Sequence, residues 1–213
     1  MNAPISAPKG RRKFWSWGYE GQDIPQSEVD SMHERVAKRL GMTDFTILTD
    51  PTLDEIELRA PRIQPPASLA SFCTTEKWDR VAHTYGKSFR DLAMIYKRKY
   101  PNPPDIVAYP RDEKDIAAVL DWCGENGYAA VPFGGGSSVT GGITPPDDSR
   151  YKGVVTIDLQ NLNQVLEVDP ISRAARIQGG TFGPSLEAQL KPHGLTLRHV
   201  PQSWEFSTLG GWI

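Results

Sequence analysis

The chain has 213 residues, 38% of them hydrophobic, and its 24 basic and 26 acidic side chains leave a net charge of -2. This size and composition predict a globular protein of one or two domains. The charge balance excludes a general electrostatic affinity for nucleic acid, and no apolar run approaches the roughly 20 residues that span a bilayer.

The first part of the chain, residues 1–103, predicts a helical extension. Four aromatic residues lie within positions 14–19, and this density indicates a segment that docks onto a folded body. Ser27 is predicted to cap a helix that ends at Leu40 and buries its apolar face. The proline-rich stretch 43–73 predicts an extended connector.

A second, longer helix is predicted over residues 74–99, with Arg80 and Lys87 on its solvated face or, as the alternative, near a phosphate. Its predicted buried face consists of Trp78, Val81, Ala82, Tyr85, Phe89, Leu92, Ile95 and Tyr96. The run Pro-Asn-Pro-Pro at 101–104 cannot continue a helix and predicts a domain boundary.

Residues 104–213 predict strands and helices in alternation. A strand at 106–109, a helix capped by Asp112 and ended by Gly127, and a strand at 128–131 form a βαβ-like unit. The predicted apolar face of this helix consists of Ile116, Ala117, Val119, Leu120 and Cys123. The remaining predicted elements are a strand at 154–159, a hairpin of 165–168 with 174–177, a helix from Thr181 to about Gly194, and a strand at 195–197.

A glycine-rich loop follows the second strand of this unit and predicts a phosphate-binding site. Glycine reaches positive φ and lets a ligand approach the main chain, while serine and threonine add hydroxyl donors. The dinucleotide fingerprint GxGxxG fails because Val139 occupies its last position, and a Walker loop ending at Lys87 fails because Val81 replaces its first glycine. The candidate cofactor-binding residues are Pro132, Phe133, Gly134, Gly135, Gly136, Ser137, Ser138, Gly141 and Gly142.

A second signature segment lies about seventy residues downstream, where polar residues precede a pair of glycines. The candidate cofactor-binding residues here are Gln202, Ser203, Trp204, Glu205, Phe206, Ser207, Thr208, Gly210 and Gly211. None of the four histidines pairs with another at metal-ligand spacing, so no metal is predicted.

Together the glycine-rich loop, this second segment and the Asp112 helix between them resemble the FAD-linked oxidases, whose FAD-binding domain is of the vanillyl-alcohol-oxidase or PCMH type. The opening Trp-Ser-Trp-Gly-Tyr at 15–19 and the string Glu-Phe-Ser-Thr-Leu-Gly-Gly-Trp at 205–212 are similar to the branch of alkylglycerone-phosphate synthases. The resemblance implies an α+β fold, with a helical extension (1–103) before a PCMH-type domain (104–213) that has a βαβ subdomain and the start of a second sheet. It also implies that residues 132–138 hold the FAD diphosphate and that 202–208 line the flavin.

The resemblance implies an FAD-dependent enzyme that forms an ether bond between a long-chain alcohol and a dihydroxyacetone phosphate ester. FAD is expected to be non-covalent, because the glycine-rich loop holds no histidine, cysteine or tyrosine. The family implies a substrate domain beyond residue 213, so no catalytic residue is assigned and the chain alone is expected to be inactive. The alternatives are a 2-hydroxy acid dehydrogenase and a non-catalytic binding module.

A small-molecule or lipid-like substrate is the expected partner, and a homodimer is a further possibility. The two cysteines, Cys73 and Cys123, lie far apart without CxxC spacing, which indicates reduced thiols. A cytoplasmic location is therefore expected.

Overall fold

The computed structural model describes residues 10–42, 44 and 46–213. The first nine residues of the predicted extension and two positions of the predicted connector lie outside the described residues. The helices are α1 (Gln26–Leu40), α2 (Lys77–Ala82), α3 (Phe89–Tyr96), α4 (Glu113–Asn126) and α5 (Gly183–Leu190). The strands are β1 (Cys73–Thr74), β2 (Ile106–Ala108), β3 (Ala129–Phe133), β4 (Val154–Asp158), β5 (Val165–Asp169) and β6 (Ala174–Ile177). Together they confirm the predicted α+β class.

Two sheets organise the part of the chain that the structure describes. The first has the strand order β1-β2-β4-β3, in which β2, β4 and β3 run parallel and β1 is antiparallel to β2. Every residue of β2 and β4 is buried, as parallel strands covered on both faces should be. The second sheet is the predicted hairpin of β5 and β6.

Helix α4 forms where its terminal residues predicted it. The side chain of Asp112 accepts a hydrogen bond of 2.9 Å from the Asp115 N–H, and Gly127 ends the helix at φ +71°. Its buried face is narrower than predicted, because only Val119 and Cys123 are buried while Leu120 is exposed.

The predicted long helix over 74–99 is wrong, because the chain forms two short helices separated by residues 83–88. Helix α3 has its own cap, since the Ser88 hydroxyl accepts a 3.1 Å hydrogen bond from the Asp91 N–H. The break also changes which side chains are covered. Phe89, predicted to be buried, is 90% exposed, whereas Arg80, predicted on a solvated face, is buried.

Helix α1 has the predicted end but not the predicted packing. It begins at Gln26 after Pro25, without the side-chain cap expected of Ser27, and ends at Gly41 with φ +64°. None of its residues is buried, and Leu40 is 62% exposed. None of the helices in the described part of the chain combines the length and apolar character that crossing a membrane requires.

The strand predicted at 195–197 is also wrong, because this segment joins neither sheet. Its main chain is tied instead to helix α5. The Leu197 N–H donates to the Glu187 carboxylate at 3.0 Å, and the Leu195 N–H donates to the Leu190 carbonyl at 3.3 Å.

The extension packs against the parallel sheet through a buried carboxylate. Asp105, fully buried, accepts hydrogen bonds from Arg59, from Arg62 at 2.7 Å and from the Val154 N–H at 2.8 Å. Burial by itself raises the pKa of Asp105, but the hydrogen bonds from Arg62 and Arg59 outweigh it and lower the pKa to about 2.

The aromatic segment docks as predicted. Phe14 is buried in a cluster with Ile56, Val81 and Ile95, which belong to the extension. The segment also contacts the second signature segment, since the Trp17 ring lies 5.6 Å from the Phe206 ring, centroid to centroid.

Candidate functional site

The glycine-rich loop leaves the carboxyl end of β3, at the edge where the other two parallel strands also end. Tyr109 follows β2 and Asp158 is the last residue of β4, so all three positions meet at this edge. The carboxyl edge of an open α/β sheet is where such folds bind ligands. The buried strand β3 therefore places the glycine-rich loop at the edge of the sheet where a ligand site is expected.

The main chain of this loop offers a run of unpaired donors. None of the N–H groups from Gly135 to Gly141 donates a hydrogen bond to another described residue. Gly136 and Gly141 have φ values of +73° and +77°, which turn the chain in directions that favour glycine. Successive free amides in a glycine-rich turn form an anion-binding concavity, so the residues present fit a diphosphate.

The second signature segment packs directly against the loop. A methyl group added to Gly135 would overlap the main-chain carbonyl of Phe206 and lie 2.9 Å from the Cα of Ser207. One added to Gly134 would overlap the hydroxyl of Thr208. The structure thus brings residues 134–136 and 206–208 together, as the resemblance implies for one shared site.

The main chain of the second segment is mostly engaged in its own turns. The Trp204 N–H donates to the Pro201 carbonyl at 2.9 Å, and the Phe206 N–H donates to the Ser203 carbonyl at 2.8 Å. Gly210 donates to the Gly179 carbonyl at 2.8 Å. This segment therefore supports the loop, while the free amides that suit an anion lie in the loop itself.

A cavity of about 880 Å³ opens beside the same edge of the sheet. Its walls come from the chain before α1, from α2, from the ends of β2 and β4, from α5 and from the second segment, which contributes Glu205. Two hydrogen-bonded pairs face it. The Tyr109 hydroxyl donates to Asp79 at 2.7 Å, and His83 Nε2 lies 2.9 Å from a carboxylate oxygen of Asp158.

Each of these pairs fixes a polar side chain at the cavity wall. Burial, together with the Asp79 carboxylate, raises the pKa of the Tyr109 hydroxyl, which stays a donor. Both ring nitrogens of His83 face acceptors, since Nδ1 lies 2.7 Å from the Asp79 carbonyl oxygen. The side chain of His83 is therefore held in place through both ring nitrogens.

Sequence reasoning missed His83, Tyr109 and Asp158 as residues of the site. Tyr109 and Asp158 carry a signal that was available, because each stands at the end of a strand in a parallel sheet. His83 carries none, since its position depends on the break between α2 and α3.

Comparison with known proteins agrees with this geometry. The family model described as "FAD binding domain" matches residues 104–213, which is more than half of the chain. The chain therefore belongs to this family of FAD-binding domains, and FAD is its cofactor.

Particular relatives narrow the similarity. The alkyldihydroxyacetonephosphate synthase of Dictyostelium discoideum is 39% identical over 138 residues, which are 65% of this chain and 22% of that protein. A solved structure of alkyldihydroxyacetonephosphate synthase has 29% identity and a TM-score of 0.77, covering 94% of this chain and 42% of that one. The glycolate oxidase subunit GlcD of Bacillus subtilis is 30% identical over 113 residues, 53% of this chain and 23% of that protein. The chain thus spans about a fifth of the curated relatives it matches, and the resemblance to the FAD-linked family and its synthase branch is confirmed.

Proposed function

We propose that the main-chain amides of the glycine-rich loop, residues 132–142, bind the diphosphate of FAD. The second segment, residues 202–211, braces that loop and lines the flavin. The observation that carries this assignment is the run of N–H groups from Gly135 to Gly141, none of which donates to another described residue, at the carboxyl edge of the parallel sheet. Bound FAD supplies an isoalloxazine ring that accepts and returns electrons, and the protein supplies binding and orientation.

Titration of the apoprotein with FAD, followed by quenching of flavin fluorescence, tests the binding site. ADP carries the same diphosphate without the flavin, so we expect it to compete with FAD. Full-strength FAD binding that ADP leaves unchanged would contradict a site centred on the diphosphate. An apoprotein that does not take up FAD at all would remove the proposal.

We expect the bound FAD to be non-covalent. The glycine-rich loop contains no histidine, cysteine or tyrosine, and a histidine near this loop is the attachment point that covalent members of the resembled family often use. Acid precipitation of the holoprotein should release the flavin into the supernatant. Yellow colour that stays with the pellet would show a covalent link.

For the whole protein we propose the activity implied by the synthase branch, namely exchange of the acyl group of an acyl dihydroxyacetone phosphate for a long-chain alcohol. The supporting observation is the similarity to alkyldihydroxyacetonephosphate synthases in sequence and structure. Incubation of the full-length holoprotein with a labelled fatty alcohol and the acyl ester should give a labelled ether product. No label in the ether would count against it.

A 2-hydroxy acid dehydrogenase is the second candidate, favoured by the similarity to a glycolate oxidase subunit. Glycolate or D-lactate would then bleach the flavin absorbance of the holoprotein without oxygen, and the synthase assignment predicts no bleaching.

A lipid-like substrate, a homodimer and a cytoplasmic location complete the proposal. Light scattering of the purified holoprotein tests the dimer.

A further inference from the structure

Lys87 lies against the glycine-rich loop. Its N–H donates a 2.7 Å hydrogen bond to the Ser138 carbonyl, so its main chain is attached to the loop. Its side chain lines a small cavity of about 40 Å³, which Gly135 and Gly136 also line. The segment between α2 and α3 comes very close to the loop at this point. A methyl group on Gly86 would overlap the same Ser138 carbonyl.

The ammonium group of Lys87 is poorly compensated there. Its one hydrogen bond within the described residues goes to the main-chain carbonyl of Phe14 at 3.2 Å, and no described carboxylate lies within 4 Å of it. Two of its three donors are therefore without a protein acceptor. The buried carboxylate of Asp91, on α3, favours the charged form of Lys87.

Three other basic side chains line the cavity, and each has a carboxylate neighbour; that of Arg12 is Asp158, at 3.9 Å. Arg12, from the chain before α1, lowers the pKa of Lys87 by repulsion. Lys13 also lines the cavity, but Asp23 pairs with it at 2.7 Å. His83 lines it as well and is paired with Asp158.

Burial, followed by the repulsion from Arg12, lowers the pKa of Lys87 to about 8. A desolvated ammonium beside a second cation is unfavourable unless an anion lies nearby. Under the proposed function, the amides of residues 135–141 bind an anion on the same loop. A bound diphosphate would therefore add negative charge to that of the buried Asp91 carboxylate.

We propose that Lys87, held against the glycine-rich loop, stabilises the bound diphosphate of FAD by its positive charge and so strengthens FAD binding. This inference rests on the proposed function, in which the loop binds that diphosphate. It makes Lys87 an electrostatic partner of the cofactor, with the loop amides providing the hydrogen bonds.

Proton linkage in the unmodified protein tests the inference first. An anion that binds near Lys87 stabilises the ammonium, so FAD binding raises the pKa of Lys87 and takes up protons at pH 8. Isothermal titration calorimetry at pH 8 in two buffers of different ionisation enthalpy measures this uptake. FAD and ADP should both show it, and the dissociation constant of each should rise between pH 7 and pH 9.

Substitution of the side chain is the second test. Lys87→Met should weaken FAD and ADP binding by about tenfold, equivalent to one charge-assisted contact, and remove both the proton uptake and the pH dependence. Lys114→Met, an exposed position on α4, removes the same net charge and should change neither. Circular dichroism and thermal melting of both variants establish that they fold, and the wild-type linkage measurement does not depend on either variant.

The outcomes separate the two proposals. Wild-type protein that does not bind FAD or ADP removes the proposed function. Wild-type protein that binds both ligands without proton uptake, or a folded Lys87→Met variant with unchanged affinity and pH dependence, overturns the role of Lys87 and leaves the loop assignment intact.

Discussion

Gly135 lies where two loops approach so closely that no side chain fits between them. We expect Gly135→Ala to force the glycine-rich loop away from Phe206, because the added methyl group overlaps a main-chain carbonyl that cannot rotate aside. Overpacking of this kind costs about 1–3 kcal/mol of unfolding free energy. Urea unfolding measures that loss, and FAD titration should show an affinity at least tenfold weaker, because a displaced loop no longer presents its amides together.

The matched control is Gly124→Ala in α4. Among the described residues, no atom beyond the adjacent residues and the main chain of α4 lies within 4 Å of the position that its methyl group would take, and alanine is favoured over glycine in a helix by about 1 kcal/mol. This variant should keep normal FAD affinity and gain stability. Equal unfolding free energies and equal FAD affinities of the two variants would show that Gly135 does not pack against Phe206.

The sequence predicted which residues form the loop, but it explained only in part why several of them are glycine. Glycine was expected there for positive φ and for access by a ligand, and Gly136 agrees with the first expectation. For Gly134 and Gly135 the structure adds close packing against residues about seventy positions away. Contacts of such sequence separation leave no local pattern, so spacing and composition could not reveal them.

At the scale of single elements, α4 is the helix whose ends carry the clearest stabilising contacts. Asp112→Ala removes the acceptor for the Asp115 N–H, and loss of an N-cap costs about 1 kcal/mol. We expect the thermal midpoint to fall by several degrees, as such a cost does in a small domain. Differential scanning calorimetry measures the shift.

Two further variants distinguish the loss of the N-cap from the loss of a negative charge. Asp112→Asn keeps a good capping side chain and should restore most of the stability, and Asp121→Ala removes an exposed carboxylate from the middle of α4. A midpoint that falls as far in Asp121→Ala as in Asp112→Ala would point to lost charge rather than a lost cap.

Elements with local end signals were predicted well, and elements set by distant partners were not. Helix α4 has Asp112 before it and Gly127 after it, and the β5–β6 hairpin has a turn between its strands. The predicted helix over 74–99 failed because Ser138 binds the segment between α2 and α3 from across the fold. The default prediction of a solvated Lys87 assumed a continuous helix and failed with it, which leaves the alternative of a role near phosphate.

At the scale of the whole molecule, the extension and the parallel sheet share their contacts. Strand β1, from the extension, pairs with β2, and the Arg80 guanidinium donates to the Pro104 carbonyl at 2.7 Å. The buried Asp105 holds Arg59 and Arg62 across the predicted boundary at 103/104. These contacts favour unfolding of the described chain as one cooperative unit, although the sequence predicted two domains.

Asp105 provides the decisive variant for that view. Asp105→Asn leaves two arginines without their buried carboxylate, and breaking a buried ion pair costs about 3–5 kcal/mol. If the extension and the sheet unfold together, the variant should shift one calorimetric transition without splitting it. Asp147→Asn, which removes an exposed carboxylate, should leave the transition in place.

The pH dependence of unfolding gives the same test without a substitution. The pKa of Asp105 is about 2 in the folded chain and about 3.9 in an unfolded chain, so its contribution is fully present above pH 4 and disappears as the pH falls through 2. The difference corresponds to roughly 2–3 kcal/mol, and Asp105→Asn should lack that part of the acid sensitivity. Urea unfolding between pH 5 and pH 2 measures it. Two separate transitions, of which only one responds to acid or to the substitution, would show that residues 1–103 and 104–213 fold as independent domains.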